Sequence, residues 1–240
     1  MKRRSMVGAA LAVVASVALA GSALAAGFTN GSFENAGFAD QGGGVDTLVA
    51  GSTALSPWTV GGGGVDWIST YWNAEEGSYS LDMNAATAGS VSQTFGTVAG
   101  ATYFVGFWLS GNPACGSGTK TLTVQATGGS SASYSYDVTT NYNSSQYPFT
   151  ITYKDQGYTF TASGTSTTLT FTGDPNAGYC GPVLDNVSVT QTIATGAQCK
   201  DGGWSTLQMW DSSTDTWISF RNQGQCVSYF ATSGAVPIGS

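Results

Sequence analysis

Between Lys120 and Thr127 the chain alternates without a break: Leu122, Val124 and Ala126 fall on one side of an extended strand, and Thr121, Thr123 and Gln125 on the other. The same two-residue period returns in short runs at Ser78–Asn84, where Tyr79, Leu81 and Met83 share a face, and at Ser90–Phe95 and Thr102–Ser110. Tyr147–Tyr153, Tyr158–Ala162, Thr167–Thr172 and Pro182–Val189 extend the series, with turn signals such as Gly100 and Asn112-Pro113 between runs. No long segment carries a 3.6-residue apolar period, so helix content should be low. Many short strands at this spacing predict an all-β fold, a sandwich or jelly roll.

The first residues read as an export signal. Lys2, Arg3 and Arg4 precede an apolar run from Val7 to Ala20, and Ala23-Leu24-Ala25 fits small-residue cleavage, giving a signal peptide over 1–25. The expected location is secreted, extracellular or at the cell surface, with no membrane insertion once the signal is gone. Of the seven basic residues three lie in that signal, which leaves four against fourteen acidic ones. Such a chain is a poor binder of nucleic acid and suits neutral ligands or divalent cations. Histidine is absent, which excludes a His general base, a Ser-His-Asp triad and His-ligated zinc.

The four cysteines, Cys115, Cys180, Cys199 and Cys226, suggest two disulfides in an exported chain. Three pairings are possible. Cys115–Cys180 with Cys199–Cys226 is favoured because the second pair sits in a compositionally separate tail. Residues 26–190 read as one domain, 191–198 as a small-residue linker, and 199–240 as a Trp-rich tail, stapled by its disulfide and expected to form a pair of β-hairpins.

Two segments carry candidate ligand contacts. In Thr102–Ser110, Tyr103, Val105, Phe107 and Leu109 form a core face, while Phe104, Gly106, Trp108 and Ser110 form a face that makes Trp108 a candidate platform. Val65–Trp72 leads into a loop with Asn73, Glu75 and Glu76, so that Tyr71 and Trp72 lie next to Asp66 and other polar groups. Rings that cover a sugar's C–H face beside groups that bind hydroxyls are one way to hold a glycan, whereas core plugging is the plain alternative. In Pro182–Val189, Val183, Asp185, Val187 and Val189 share one parity, which puts Asp185 on an apolar face. That carboxylate is either capped by backbone N–H groups or ligates a structural calcium. Adjacent Glu75 and Glu76 diverge on an extended chain and make a poor glycosidase pair, so the chain reads as non-enzymatic. Gly61–Gly64 lacks the rest of a phosphate loop and reads as a flexible turn.

The order Asn30-Gly31-Ser32-Phe33-Glu34, Pro57-Trp58-Thr59-Val60, Val65-Asp66-Trp67-Ile68, Gly77–Asp82, Gln93-Thr94-Phe95, Tyr103–Phe107 and Cys180–Val189 resembles the bacterial choice-of-anchor C proteins. It also resembles related plant cell-wall proteins whose domain is of unknown function. The resemblance implies a galactose-binding-like jelly-roll sandwich, attachment to polysaccharide or cell wall, and one calcium beside Glu34 and Asp185, with an oxygen near Asn30. A surface or matrix protein that binds another protein, through the sandwich or the tail, is the alternative reading.

Overall fold

The computed structural model describes residues 27–140, 147–192, 199–200, 202–205, 208–211, 216–233 and 238–239. The expected export segment 1–25 and linker residues 193–198 lie outside them.

The strands form two packed antiparallel sheets. One has six strands in the order β1 (Val45–Leu48), β3 (Val65–Ile68), β4 (Ser80–Asp82), β11 (Pro182–Thr192), β6 (Thr102–Gly111) and β9 (Lys154–Thr161). The other has five, in the order β2 (Thr59–Gly62), β5 (Gly89–Gly96), β10 (Ser166–Thr172), β7 (Thr119–Ala126) and β8 (Ala132–Asp137). This is the all-β jelly-roll sandwich that the alternation predicts. Phe171 on β10 stands between Val91 and Val124 of its neighbours and is fully buried, while Thr170 lies between Ser92 and Gln125 on the other face. Each such ring or branched side chain taken from water contributes about 1.5–3 kcal/mol. Trp58 and Phe33 are fully buried, and the indole N–H of Trp58 donates to Asn30 O at 2.8 Å.

Four elements depart from the sequence reading. Tyr147–Tyr153 is not a ladder strand: it makes one isolated parallel bridge, Trp72↔Phe149, to the segment after β3, and lays Ile151 against Ile68, Trp72 and Val183. Its alternating side chains suit a cover over the sheet as well as a strand within it. β1 and β8 are strands that no apolar run announces, because their inward residues are Asp46 and Leu48 in one, and Tyr134 and Tyr136 in the other. Gly61–Gly64 is a packed turn, since a Cβ on Gly63 would meet Thr87 Oγ1 at 2.2 Å.

The closing strand also corrects its own parity. Val183, Leu184 and Asp185 pair with Ser110, Leu109 and Trp108, after which the register shifts and Ser188 pairs with Gly106. Three residues on β11 thus match two on β6, a bulge centred on Asn186, whose φ of 46° is left-handed. A one-residue slip exchanges the faces. Val183 therefore joins the outer cluster with Ile68 and Trp72, whereas Val187 and Val189 point into the sandwich. The four residues do not share a face.

The bulge lies beside the opening segment. Val187 N donates to Gly31 O at 2.9 Å, and a Cβ on Gly31 would lie 1.8 Å from Val187 O. From here two carboxylates hold one loop. Asp185, fully buried, accepts from Glu75 N (2.8 Å) and Glu76 N (3.2 Å) through Oδ2, and from Asn186 N (2.6 Å) through Oδ1. Glu34 Oε1 accepts from Ser78 N (2.9 Å) and Tyr79 N (2.8 Å). Burial raises the Asp185 pKa to about 7 against the downward pull of these donors. Between the two clamps, Gly77 takes φ 68°, and a Cβ there would lie 2.4 Å from Glu34 Cδ.

In the tail, β12 (Gln208–Asp211) pairs with β13 (Thr216–Ser219) on one edge and β14 (Ile238–Gly239) on the other, followed in chain order after β13 by a helix, α1 (Gln223–Ser233). The helix replaces the second hairpin expected there. Asn222 Oδ1 accepts from Gln225 N at 2.9 Å as an N-cap, and eleven residues are too few for an apolar period to be read from sequence. Cys226 on α1 bonds to Cys199, and both pack with Phe220, Trp204 and Tyr229. Cys115 bonds to Cys180.

Cys115 and Cys180 are 65 residues apart, so their bond restricts the unfolded chain strongly. Replacing both with Ser is expected to lower the unfolding free energy in urea by about 4 kcal/mol. Asp185 and Asp82 both have folded pKa values raised to about 7. The native chain therefore holds protons that the unfolded chain has released, and these groups make stability fall as pH rises from about 4 to about 7. A Tm–pH profile should decline across that window, and less steeply in Asp185→Asn; parallel profiles would refute the role given to Asp185.

Candidate functional site

The outer face of the six-stranded sheet carries two cross-strand rows set by the register. Thr47, Asp66, Asp82, Val183 and Ser110 line up across β1, β3, β4, β11 and β6. In the next row Val45 pairs with Ile68 and Ile68 with Ser80, and beyond them Asp185 pairs with Trp108 and Trp108 with Asp155. The first row runs from exposed Thr47 through half-buried Asp66 to buried Asp82.

Asp66 and Asp82 are directly opposed carboxylates in different settings. Thr47 Oγ1 donates to Asp66 Oδ1 at 2.6 Å, and burial raises the Asp66 pKa against that bond. Asp82 Oδ1 accepts from Asn84 N and Gly181 N, both at 2.9 Å, and Oδ2 accepts from Asn112 Nδ2 at 2.6 Å. Burial lifts the Asp82 pKa to about 7; its three donors oppose the rise and the Asp66 charge adds to it. Asp82 thus organises the chain ends around the Cys180 turn, and Asp66 is the carboxylate left partly open.

Aromatic rings stand over this floor. Tyr71, half-buried just after β3, makes edge contacts with Tyr147 (centroids 5.3 Å apart) and Phe149 (5.4 Å) and a tilted contact with Trp72 (5.4 Å). Burial, then the neighbouring Tyr147 and Asp82, raise the Tyr71 pKa. Tyr147 is 64% exposed. Asn73 joins the two loops: its Nδ2 donates to Ile151 O (3.0 Å) and its Oδ1 accepts from Ile151 N (2.8 Å), while Tyr153 Oη donates to Asn73 O (3.1 Å).

Of the residues singled out from sequence, Tyr71 and Asp66 lie on this face, Tyr71 packed on the cluster that contains Ile68, two residues along β3 from Asp66. Trp108 lies on the same face three strands away, half-buried between Asp185 and Asp155. Trp72 is corrected to core: it is 2% exposed, its indole N–H donates to Ser80 Oγ at 2.9 Å, and Ile68, Ile151 and Val183 enclose it. Tyr147, Phe149, Thr47 and Asp82 were not singled out. A Tyr-Pro-Phe triplet is signal enough for exposed rings, but only the fold places them against Tyr71.

Glu34, Asp185 and Asn30 are each engaged by groups of the protein itself. Glu34 and Asp185 spend oxygens on backbone N–H groups of the 75–79 loop, while Asn30 Nδ2 donates to the carbonyls of Asn35, Leu55 and Ser56 at 2.8–3.2 Å. Among the described residues no three Cys, Asp or Glu side chains gather as metal ligands.

A segment of 86 residues, 35% of the chain, is 38% identical to halomucin of Haloquadratum walsbyi (strain DSM 16790 / HBSQ001), of which it spans 1%. Among solved structures, the chain is similar to TmCBM61, solved in complex with β-1,4-galactotriose (TM-score 0.39, 23% identity, 57% of this chain and 89% of that one). It is also similar to a family 35 carbohydrate-binding module from Clostridium thermocellum (0.40, 12%, 60% and 97%). The Stig cyclase Fisc from Fischerella sp. TAU is a third (0.45, 15%, 73% and 100%). Residues 26–190 match the family model described as protein of unknown function (DUF642), so the chain belongs to that family.

Proposed function

We propose that this is an exported, non-catalytic protein that binds polysaccharide on the outer face of its six-stranded sheet. One observation carries the reading: the partly exposed Tyr71, Tyr147 and Phe149 rings stand on the same face as Thr47 and the half-open Asp66. Rings cover the apolar face of a sugar, and the hydroxyl and carboxylate bind its hydroxyls. The carbohydrate-binding modules named above bear on it as likenesses of fold only. Export is supported by the Lys2–Ala25 segment and by two disulfides, bonds that persist in oxidising compartments. The non-catalytic reading rests on Asp82 and Asp185, which are closed in by backbone and amide donors and have little access to a substrate.

Tyr147→Ala removes an exposed ring and leaves the core intact. In affinity electrophoresis across a polysaccharide panel it is expected to weaken binding by about 1–2 kcal/mol, about 5- to 30-fold in Kd. Unchanged retention of both Tyr147→Ala and Tyr71→Ala would overturn the site. Glu34 and Asp185 already hold the 75–79 loop through backbone N–H groups, so the Tm is expected to be the same in chelator and in added calcium. A chelator-sensitive melt would restore the metal.

A further inference from the structure

We infer that the face selects uncharged, hydroxyl-rich polysaccharides and rejects polymers bearing carboxylate or sulfate; this rests on the binding face proposed above. Past the first four residues the chain holds four cations, Lys120, Lys154, Lys200 and Arg221. None belongs to the two rows of that face. Lys120 is buried on β7 of the opposite sheet, and Lys154 begins the edge strand β9 opposite Leu109, whose side chain lies in the sandwich core. Lys200 and Arg221 belong to the tail.

The rows instead carry half-buried Asp66 and Asp155, with Asp82 and Asp185 buried beneath the surface. An ionised carboxylate only accepts hydrogen bonds, with room for about four. The bond from Thr47 to Asp66 Oδ1 leaves this half-open group with acceptor capacity directed at whatever lies on the face. Sugar hydroxyls supply O–H donors to it. The carboxylate of a uronate, or a sulfate group, offers only acceptors where it replaces a hydroxyl, and like charges brought together on a half-desolvated surface repel. The remaining ring contacts do not distinguish the two classes, so the carboxylates decide between them. A cationic polymer has less to gain, because the donors of Asp82 and Asp185 already come from the protein.

The test uses polymers matched in backbone: hydroxyethylcellulose against carboxymethylcellulose, and carboxyl-reduced against native polygalacturonate, in affinity gels at low salt. The expected result is retardation by the uncharged member of at least one pair and none by its acidic partner. Equal or stronger retardation by the acidic member overturns the inference and leaves the binding face standing. No retardation by any polymer of a wider panel overturns both. Asp66→Lys provides a second readout. It should shift the ratio of acidic to uncharged retention by about fivefold or more toward the acidic polymer, and 0.5 M NaCl should erase that shift. A ratio unmoved by the charge reversal in a variant with unaltered circular dichroism would also overturn it.

Discussion

Closing the sandwich obliges one strand to serve two faces, and the extra residue at Asn186 in β11 is what permits it. Before the bulge, Val183 and Asp185 look outward and help to build the floor under the aromatic loops; after it, Val187 and Val189 fill the core. The left-handed backbone at Asn186 is tolerable for a short amide side chain, which also reaches Glu75 Oε2 at 2.8 Å. Gly31 lies against the bulge so closely that no side chain fits. The first and last segments of the sandwich thus fix one another, and the outer face inherits its geometry from that contact.

Buried carboxylates organise backbone throughout this design. Asp185 and Glu34 grip the 75–79 loop from its two ends, and Asp82 ties Asn84, Gly181 and Asn112 together where Cys180 enters the closing strand. A carboxyl group accepting several N–H bonds holds a turn by satisfying its backbone donors. The arrangement has a physical cost. Desolvation pushes Asp82 and Asp185 upward in pKa, and the backbone donors offset only part of it.

Much of the scaffold was legible because alternation is a local signal. Leu122, Val124 and Ala126 needed no neighbour to declare their face, nor did Tyr103, Val105, Phe107 and Leu109. The same reasoning misplaced Val187 and Val189, since an inserted residue reverses parity and leaves no mark in composition. It also misread Tyr147–Tyr153, because a cover packed on a sheet alternates like a strand hydrogen-bonded within it. Strands with polar or tyrosine-rich inward sides, such as Ala132–Asp137, stayed invisible for the opposite reason. Within the site, Tyr71 and Asp66 were visible as an aromatic near a carboxylate. Thr47 and Tyr147 join them through contacts of 19 and 76 residues' separation, which only the fold supplies.

The two halves of the site differ in how firmly they are held, and this bears on what it can recognise. The floor is part of the sheet: Asp66 and Asp82 are set by ladder register, and the row they occupy continues to Val183 in the closing strand. The rings belong to loops, Tyr71 leaving β3 and Tyr147 preceding the covering segment, joined mainly through Asn73 and Ile151. Orientation-sensitive hydrogen bonding therefore sits on the rigid element, and tolerant stacking on the adaptable one. Under the proposed function, the sheet would read a ligand for charge and hydroxyl pattern, while the loops would accommodate the shape of the sugar. That division would let loop sequence change the preferred sugar without altering the proposed preference for uncharged polymers, because Asp82 in the floor also holds the sheet's strand ends in place.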